Sequence, residues 1–100
     1  MKKYILLFFI LWSVSNSAQV GIGTTNPDAS SVLDVSSTNK GLLIPRVDLD
    51  SLTDQTTIEL PTQSLIVYNT GNGSLTTKGF YYWNGVSWLR LVTSAQVAGV

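Results

Sequence analysis

The dense spacing of turn-forming residues is the feature that most limits the folds open to this 100-residue chain. From Gln19 onward the sequence is interrupted at short intervals by Gly21, Gly23, Asn26-Pro27, Asn39, Gly41, Pro45, Pro61, Asn69, Gly71-Asn72-Gly73, Gly79 and Asn84-Gly85. Few uninterrupted windows are long enough for a helix of ordinary length. The intervening segments are short and rich in β-branched and aromatic residues, which is typical of strands. The sequence therefore predicts an all-β fold.

Several segments carry the strand pattern. They are Val32–Val35, Leu42–Val47, Ser64–Tyr68, Gly79–Trp83 and Val86–Val92. The stretch Asp48–Thr57 predicts either a turn or a short helix, because its apolar residues could share one helical face. We therefore expect a small antiparallel β domain over residues 42–92, an extended lead-in over residues 19–41, and a tail or linker over residues 93–100.

The end of this domain predicts an aromatic hairpin. Asn84-Gly85 is the pair that best tolerates a two-residue type I′ turn, and such a turn places Tyr81 opposite Trp88. Alternation then puts Tyr81, Trp83, Val86 and Trp88 on one face, and Phe80, Tyr82, Leu89 and Leu91 on the other. Because both faces are apolar, we expect one to contact the domain's own core and the other to contact a neighbouring chain or a ligand.

Residues 1–18 have the order of a secretory signal peptide. Two lysines precede the apolar run Tyr4–Trp12, and small polar residues follow. This run is shorter than the roughly 20 apolar residues that a membrane span requires. Cleavage after Ser17 and cleavage after Ala18 both fit the pattern. We expect a signal-peptide helix ahead of the β domain, and an exported protein, secreted or at the cell surface, with no membrane span once this segment is removed.

The remaining composition limits the partners and the sources of stability. Beyond residue 18 there are four basic and six acidic residues, without a basic cluster. Nucleic-acid binders gain most of their affinity from clustered Lys and Arg, so no nucleic-acid partner is expected. The chain has no cysteine and cannot use the disulfides that stabilise many small secreted domains. A core of this size supplies only about 3–5 kcal/mol, so we expect self-association to contribute stability.

The sequence predicts no catalytic residue, no metal site and no cofactor. It has no histidine and no cysteine, which excludes His-based triads, thiol chemistry and the common zinc sites. Four acids follow positions 1, 3, 7 and 12 of a calcium loop: Asp48, Asp50, Asp54 and Glu59. Leu52 and Thr53 stand where that loop needs a ligand and a glycine, so a solvated loop is the better interpretation. Gly21-Ile22-Gly23 lacks the third glycine of a dinucleotide-binding loop.

Four stretches form a recognisable set: Val20–Val35 with its Gly-Ile-Gly-Thr-Thr-Asn-Pro run, Asn39–Val47, Ser64–Thr70 and Gly79–Trp88. Together they resemble a large group of exported Bacteroidota proteins, which are similar to phage tail-fibre and trimeric surface-fibre proteins. The resemblance covers nearly all of the chain after the signal peptide. It implies a homotrimer with a structural role, and it carries no catalytic residue over to this chain.

Two functions follow from these features. The first is a non-catalytic structural or adhesive module of a secreted or cell-surface fibre. The alternative is a carbohydrate-binding module, since aromatic rings of the hairpin could stack on sugars, although aromatic residues are also the ordinary content of β cores and interfaces. Tyr81, Trp83 and Trp88 are the candidates for a subunit interface or a glycan contact. The expected partners are copies of the chain itself, with surface glycans or other cell-surface proteins as further candidates.

Overall fold

The computed structural model describes residues 18–97, and the predicted signal-peptide helix lies outside the described residues. The strands are β1 Val20–Ile22, β2 Leu33–Val35, β3 Arg46–Val47, β4 Ile66–Asn69, β5 Gly79–Trp83 and β6 Trp88–Arg90. A single 3₁₀ turn, Ser94–Gln96, follows β6. Residues 18–97 contain no α-helix, which confirms the all-β class. Within the same range no helix is long and apolar enough to cross a membrane.

The chain forms two units that separate between Leu42 and Leu43. In the first unit, β1 and β2 pair in parallel and form a two-stranded sheet. The sequence predicts β2 within one residue, but it treats β1 as part of an extended lead-in. The pattern misses β1 because the strand has three residues and contains Gly21, which is a turn residue in most contexts.

The second unit contains a four-stranded sheet with the order β3-β4-β5-β6. The β4–β5 and β5–β6 pairs are antiparallel, whereas β3 runs parallel to β4. The sheet is therefore mixed, whereas the sequence predicts antiparallel pairing throughout. The predicted strand Leu42–Val47 shortens to Arg46–Val47, and Val86–Val92 shortens to Trp88–Arg90. Asp48–Thr57 forms turns, which is the first of the two predicted alternatives.

The core of this unit lies on one face of the sheet, which we call the inner face. Its buried apolar side chains are Leu49, Val67, Tyr81, Trp83 and Trp88, and Val47, Ile58 and Leu75 pack against them at partial burial. The strands supply the aromatic members, and the loops between strands supply Leu49, Ile58 and Leu75. The loops thus cover the inner face.

The hairpin between β5 and β6 differs from the prediction in its register. Trp83 lies opposite Trp88, so the predicted pairing of Tyr81 with Trp88 is wrong by two residues. The cause is the Asn84 side chain, whose Oδ1 accepts the N–H groups of Val86 and Ser87 at 2.8 Å each and makes a longer turn. A shift of two residues leaves every strand side chain on its predicted face. Val86 is the exception, because it lies exposed in the turn.

Candidate interaction surface

The three aromatic residues selected from the sequence lie on the inner face. Trp88 is fully buried, and Tyr81 and Trp83 are 2% and 3% exposed. The Trp83 and Trp88 rings meet edge to face, with centroids 5.2 Å apart. The Tyr81 hydroxyl donates a hydrogen bond to the Thr77 carbonyl at 2.8 Å. These side chains are core residues of the protomer, and their predicted contact with a subunit or a glycan stays a prediction.

Asp54 holds the loop next to this core. Of the four acids expected in a solvated loop, Asp48, Asp50 and Glu59 are exposed and Asp54 is the exception. It is buried, and its carboxylate accepts the backbone N–H groups of Asp50, Thr56 and Thr57 at 2.9–3.0 Å. Burial by itself raises the pKa of Asp54, but the hydrogen bonds from the Thr57 hydroxyl and these N–H groups outweigh it. They hold the pKa well below the ordinary value for an aspartate. The sequence does carry a signal for this role. Threonines follow Asp54 two and three residues later, which is typical of an aspartate that caps the local backbone.

The other carboxylates of this loop face different neighbours. Asp50 accepts the Ser74 N–H at 3.1 Å, and Asp48 accepts a hydrogen bond from the Thr70 hydroxyl. Over residues 18–97, no group of three acidic side chains lies close enough to hold a metal ion. The arrangement is that of a structural loop in which Asp54 and Asp50 each order a separate piece of backbone.

Asn69, at the end of β4, is the second polar residue inside the unit. Its side chain is fully buried, and its Oδ1 accepts the Leu49 N–H at 2.9 Å. Its Nδ2 donates to the carbonyls of Leu75 and Thr77 at 3.0 Å each. One amide therefore ties the loops on either side of β4 to the sheet. The sequence pattern predicts a turn at Asn69 and does not reveal this role.

The opposite side of the sheet, which we call the outer face, is the candidate interaction surface. The pairing registers place six apolar or aromatic side chains there: Ile66, Tyr68, Phe80, Tyr82, Leu89 and, just beyond β6, Leu91. Arg46, paired with Tyr68, is the one charged residue of β3–β6 on this face. Sheets with one solvated face usually carry polar residues there, so this composition indicates a surface that needs a partner.

The outer face is ordered and solvent-exposed. Phe80 is 48% exposed and Leu91 is 50% exposed, while Tyr68 and Tyr82 are half-buried. The Tyr68 and Phe80 rings meet edge to face at a centroid distance of 5.2 Å. Such aromatic pairs across neighbouring strands hold one another in place. Sequence analysis identified the hairpin part of this face, but it missed Ile66 and Tyr68, whose alternation with Val67 and Asn69 carried the signal.

Residues 21–99 match the family described as a phage tail like trimerisation region. The chain belongs to this family. As a phage tail-like trimerisation region it has a structural role, and the match supports self-association as a trimer. The predicted resemblance to trimeric phage-tail proteins is confirmed, whereas the Bacteroidota origin stays a prediction. No curated protein and no solved structure shows significant similarity to the chain.

Proposed function

We propose that the chain is a structural trimerisation module of an exported, fibre-like protein, in which three copies bury their outer faces against one another. The observation that carries this proposal is the largely apolar outer face, which stays partly exposed in the described protomer although the inner face already has its core. Membership of a trimerisation family supports other copies of the chain as its partners.

The size and composition of the outer face favour a protein partner over a small ligand. Full burial of a large apolar side chain stabilises by about 1.5–3 kcal/mol, so a half-exposed one still gains roughly 1 kcal/mol. Association costs about 4–15 kcal/mol in lost freedom of motion. Association is therefore favourable only if the contact buries most of the outer face at once. A sheet face with a single charged side chain, Arg46, suits another copy of the same face.

Export and adhesion are further parts of this hypothesis. The order of charge, apolar run and small residues in residues 1–18 supports export and a secreted or cell-surface location. An adhesive role would add glycans or cell-surface proteins as targets. Because Trp83 and Trp88 lie in the core, sugar contact would fall to the aromatic residues of the outer face, which the trimer would bury. A structural role without catalysis remains the simplest form of the hypothesis.

The mass of the protein in solution tests the proposal. We expect the chain from Gln19 onward to sediment as three protomers. Phe80→Asp introduces a charge into the outer face and should weaken association by at least a hundredfold, or about 3 kcal/mol. Val86→Asp is the matched control, because Val86 is an exposed apolar residue of the same hairpin outside the outer face. A monomeric parent chain, or a Phe80→Asp trimer as stable as the control, would contradict the proposal.

A further inference from the structure

We propose that β1 and β2, the N-terminal ribbon, form a second contact between subunits, in which the ribbons of three copies pack their apolar sides together. This inference rests on the proposed trimer and adds to it a contact surface in the other unit of the chain. The observation that supports the inference is that one side of the ribbon is apolar and the other is polar.

The pairing register separates the side chains of the ribbon by type. Val20 lies opposite Leu33, and Ile22 lies opposite Val35. Because alternate residues of a strand point to the same side, these four apolar side chains share one side of the ribbon, and Gly21 and Asp34 share the other. The apolar side is open to solvent, with the four side chains between 41% and 56% exposed.

The polar side is closed by the loop that joins the two strands. The Asp28 N–H donates to the Asp34 carboxylate at 2.9 Å, which brings the loop onto this side. A Cβ at Gly21 would lie 2.6 Å from the Thr24 carbonyl and 2.8 Å from Pro27 Cγ. Only glycine allows the loop to approach so closely. The ribbon thus covers its own polar side and leaves its apolar side without a cover.

Hydrogen bonds fix the shape of the ribbon although it has no core. The Gln19 side chain donates to the carbonyls of Asp28 and Ser31 at 2.8 Å each. The Ser36 N–H donates to the Ile22 carbonyl at 2.8 Å. No residue between 18 and 42 is buried. An isolated two-stranded ribbon is marginal in water, so a ribbon prearranged in this way gains its stability by placing the apolar side against a partner.

A second copy of the ribbon is the partner that these observations favour. The matched trimerisation region starts at Gly21 and therefore takes in the ribbon, apart from Val20, together with the four-stranded sheet. The open side presents only aliphatic side chains, with no charge or hydrogen-bonding group that a polar ligand would need. Three identical aliphatic patches can meet about a threefold axis and exclude water from one shared core.

Single introduced cysteines test this contact, because the natural chain has none. Ile22→Cys and Leu33→Cys place a thiol on the open side, and Thr25→Cys places one in the exposed loop as the matched control. Each trimer is treated with a short bis-maleimide and examined on a denaturing gel. Thiols held together reach an effective concentration near the millimolar range, so we expect at least about tenfold more covalent dimer from the open-side variants than from the control.

The outcomes separate the inference from the function on which it rests. If the parent sediments as a trimer and the open-side cysteines crosslink no better than Thr25→Cys, the ribbons do not meet and the inference is wrong, while the trimer stands. The same result is expected if the ribbon packs against the other unit of a neighbouring copy, and in that case too the inference is wrong. If the open-side variants alone lose the trimer, the open side is needed for assembly, which supports the inference. A monomeric parent chain would contradict both the proposed trimer and the proposed contact between ribbons.

Discussion

The indole Nε1 of Trp88 donates a hydrogen bond to the backbone carbonyl of Asp54 at 2.7 Å and so ties β6 to the loop between β3 and β4. Trp88→Phe keeps a ring in the core but leaves this buried carbonyl without its donor. We expect the free energy of unfolding to fall by about 2–4 kcal/mol. Urea denaturation at one fixed protomer concentration measures the change. Val86→Ala, an exposed change in the same hairpin, should stay within about 0.5 kcal/mol of the parent.

Asn69→Ala removes three hydrogen bonds of a fully buried side chain at once, to Leu49, Leu75 and Thr77. Since each is worth about 1 kcal/mol, we expect a loss of roughly 3 kcal/mol in the free energy of unfolding. Asn72→Ala changes the same residue type at an exposed position nearby and should have little effect. Equal stability of the two variants in thermal denaturation would contradict the role assigned to Asn69.

The lowered pKa of Asp54 predicts a specific dependence of stability on pH. A carboxylate whose pKa is lower in the folded state stabilises the fold above its unfolded pKa, and the contribution is lost as pH falls toward the folded pKa. Asp54→Asn should therefore be less stable than the parent at pH 7, and the difference should shrink as the pH is lowered below about 4. Glu59→Gln removes an exposed acid from the same loop and is the control. A difference that is constant from pH 7 to below 4 would contradict the prediction.

Gly23→Ala should open the N-terminal ribbon. Gly23 has a φ of +78°, and a Cβ there would lie 2.0 Å from the Ser36 carbonyl oxygen. Ser36 must move, which breaks its hydrogen bond to Ile22. We expect amide exchange at Ser36 to accelerate by at least about tenfold. Gly41→Ala is the control, because nothing lies within 4 Å of the position that its Cβ would occupy. Unchanged protection at Ser36 in Gly23→Ala would show that the ribbon is not held in this way.

The faces of the aromatic hairpin could be predicted from the sequence, but its register could not. Alternation depends only on the two-residue period of a strand, so Tyr81 and Phe80 stay on opposite faces when the pairing shifts by two residues. The register depends on the length of the turn. Asn-Gly is compatible both with a two-residue turn and with the longer turn that the Asn84 side chain stabilises.

The choice of inner face also lay beyond the sequence. Both sides of the hairpin are apolar, and the buried side is fixed by residues far along the chain, namely Leu49, Ile58 and Leu75. Likewise, β1 acquires its strand character from a parallel partner that follows a loop. These are tertiary effects, which override local propensity. The all-β class and the shortage of helices followed directly from the spacing of glycine, proline and asparagine.

The parallel alignment of β3 with β4 has a consequence for the order of folding. The hairpin of β5 and β6 closes through near neighbours, on a scale of microseconds, whereas residues 48–65 must run back along the sheet before Tyr68 and Asn69 can pair with Arg46 and Val47. The same segment brings Leu49 and the Asp54 carbonyl into contact with the tryptophans. Until this crossing is complete, a newly made chain presents two bare aromatic surfaces. We therefore expect the slow crossing to set the interval in which premature aggregation competes with correct assembly.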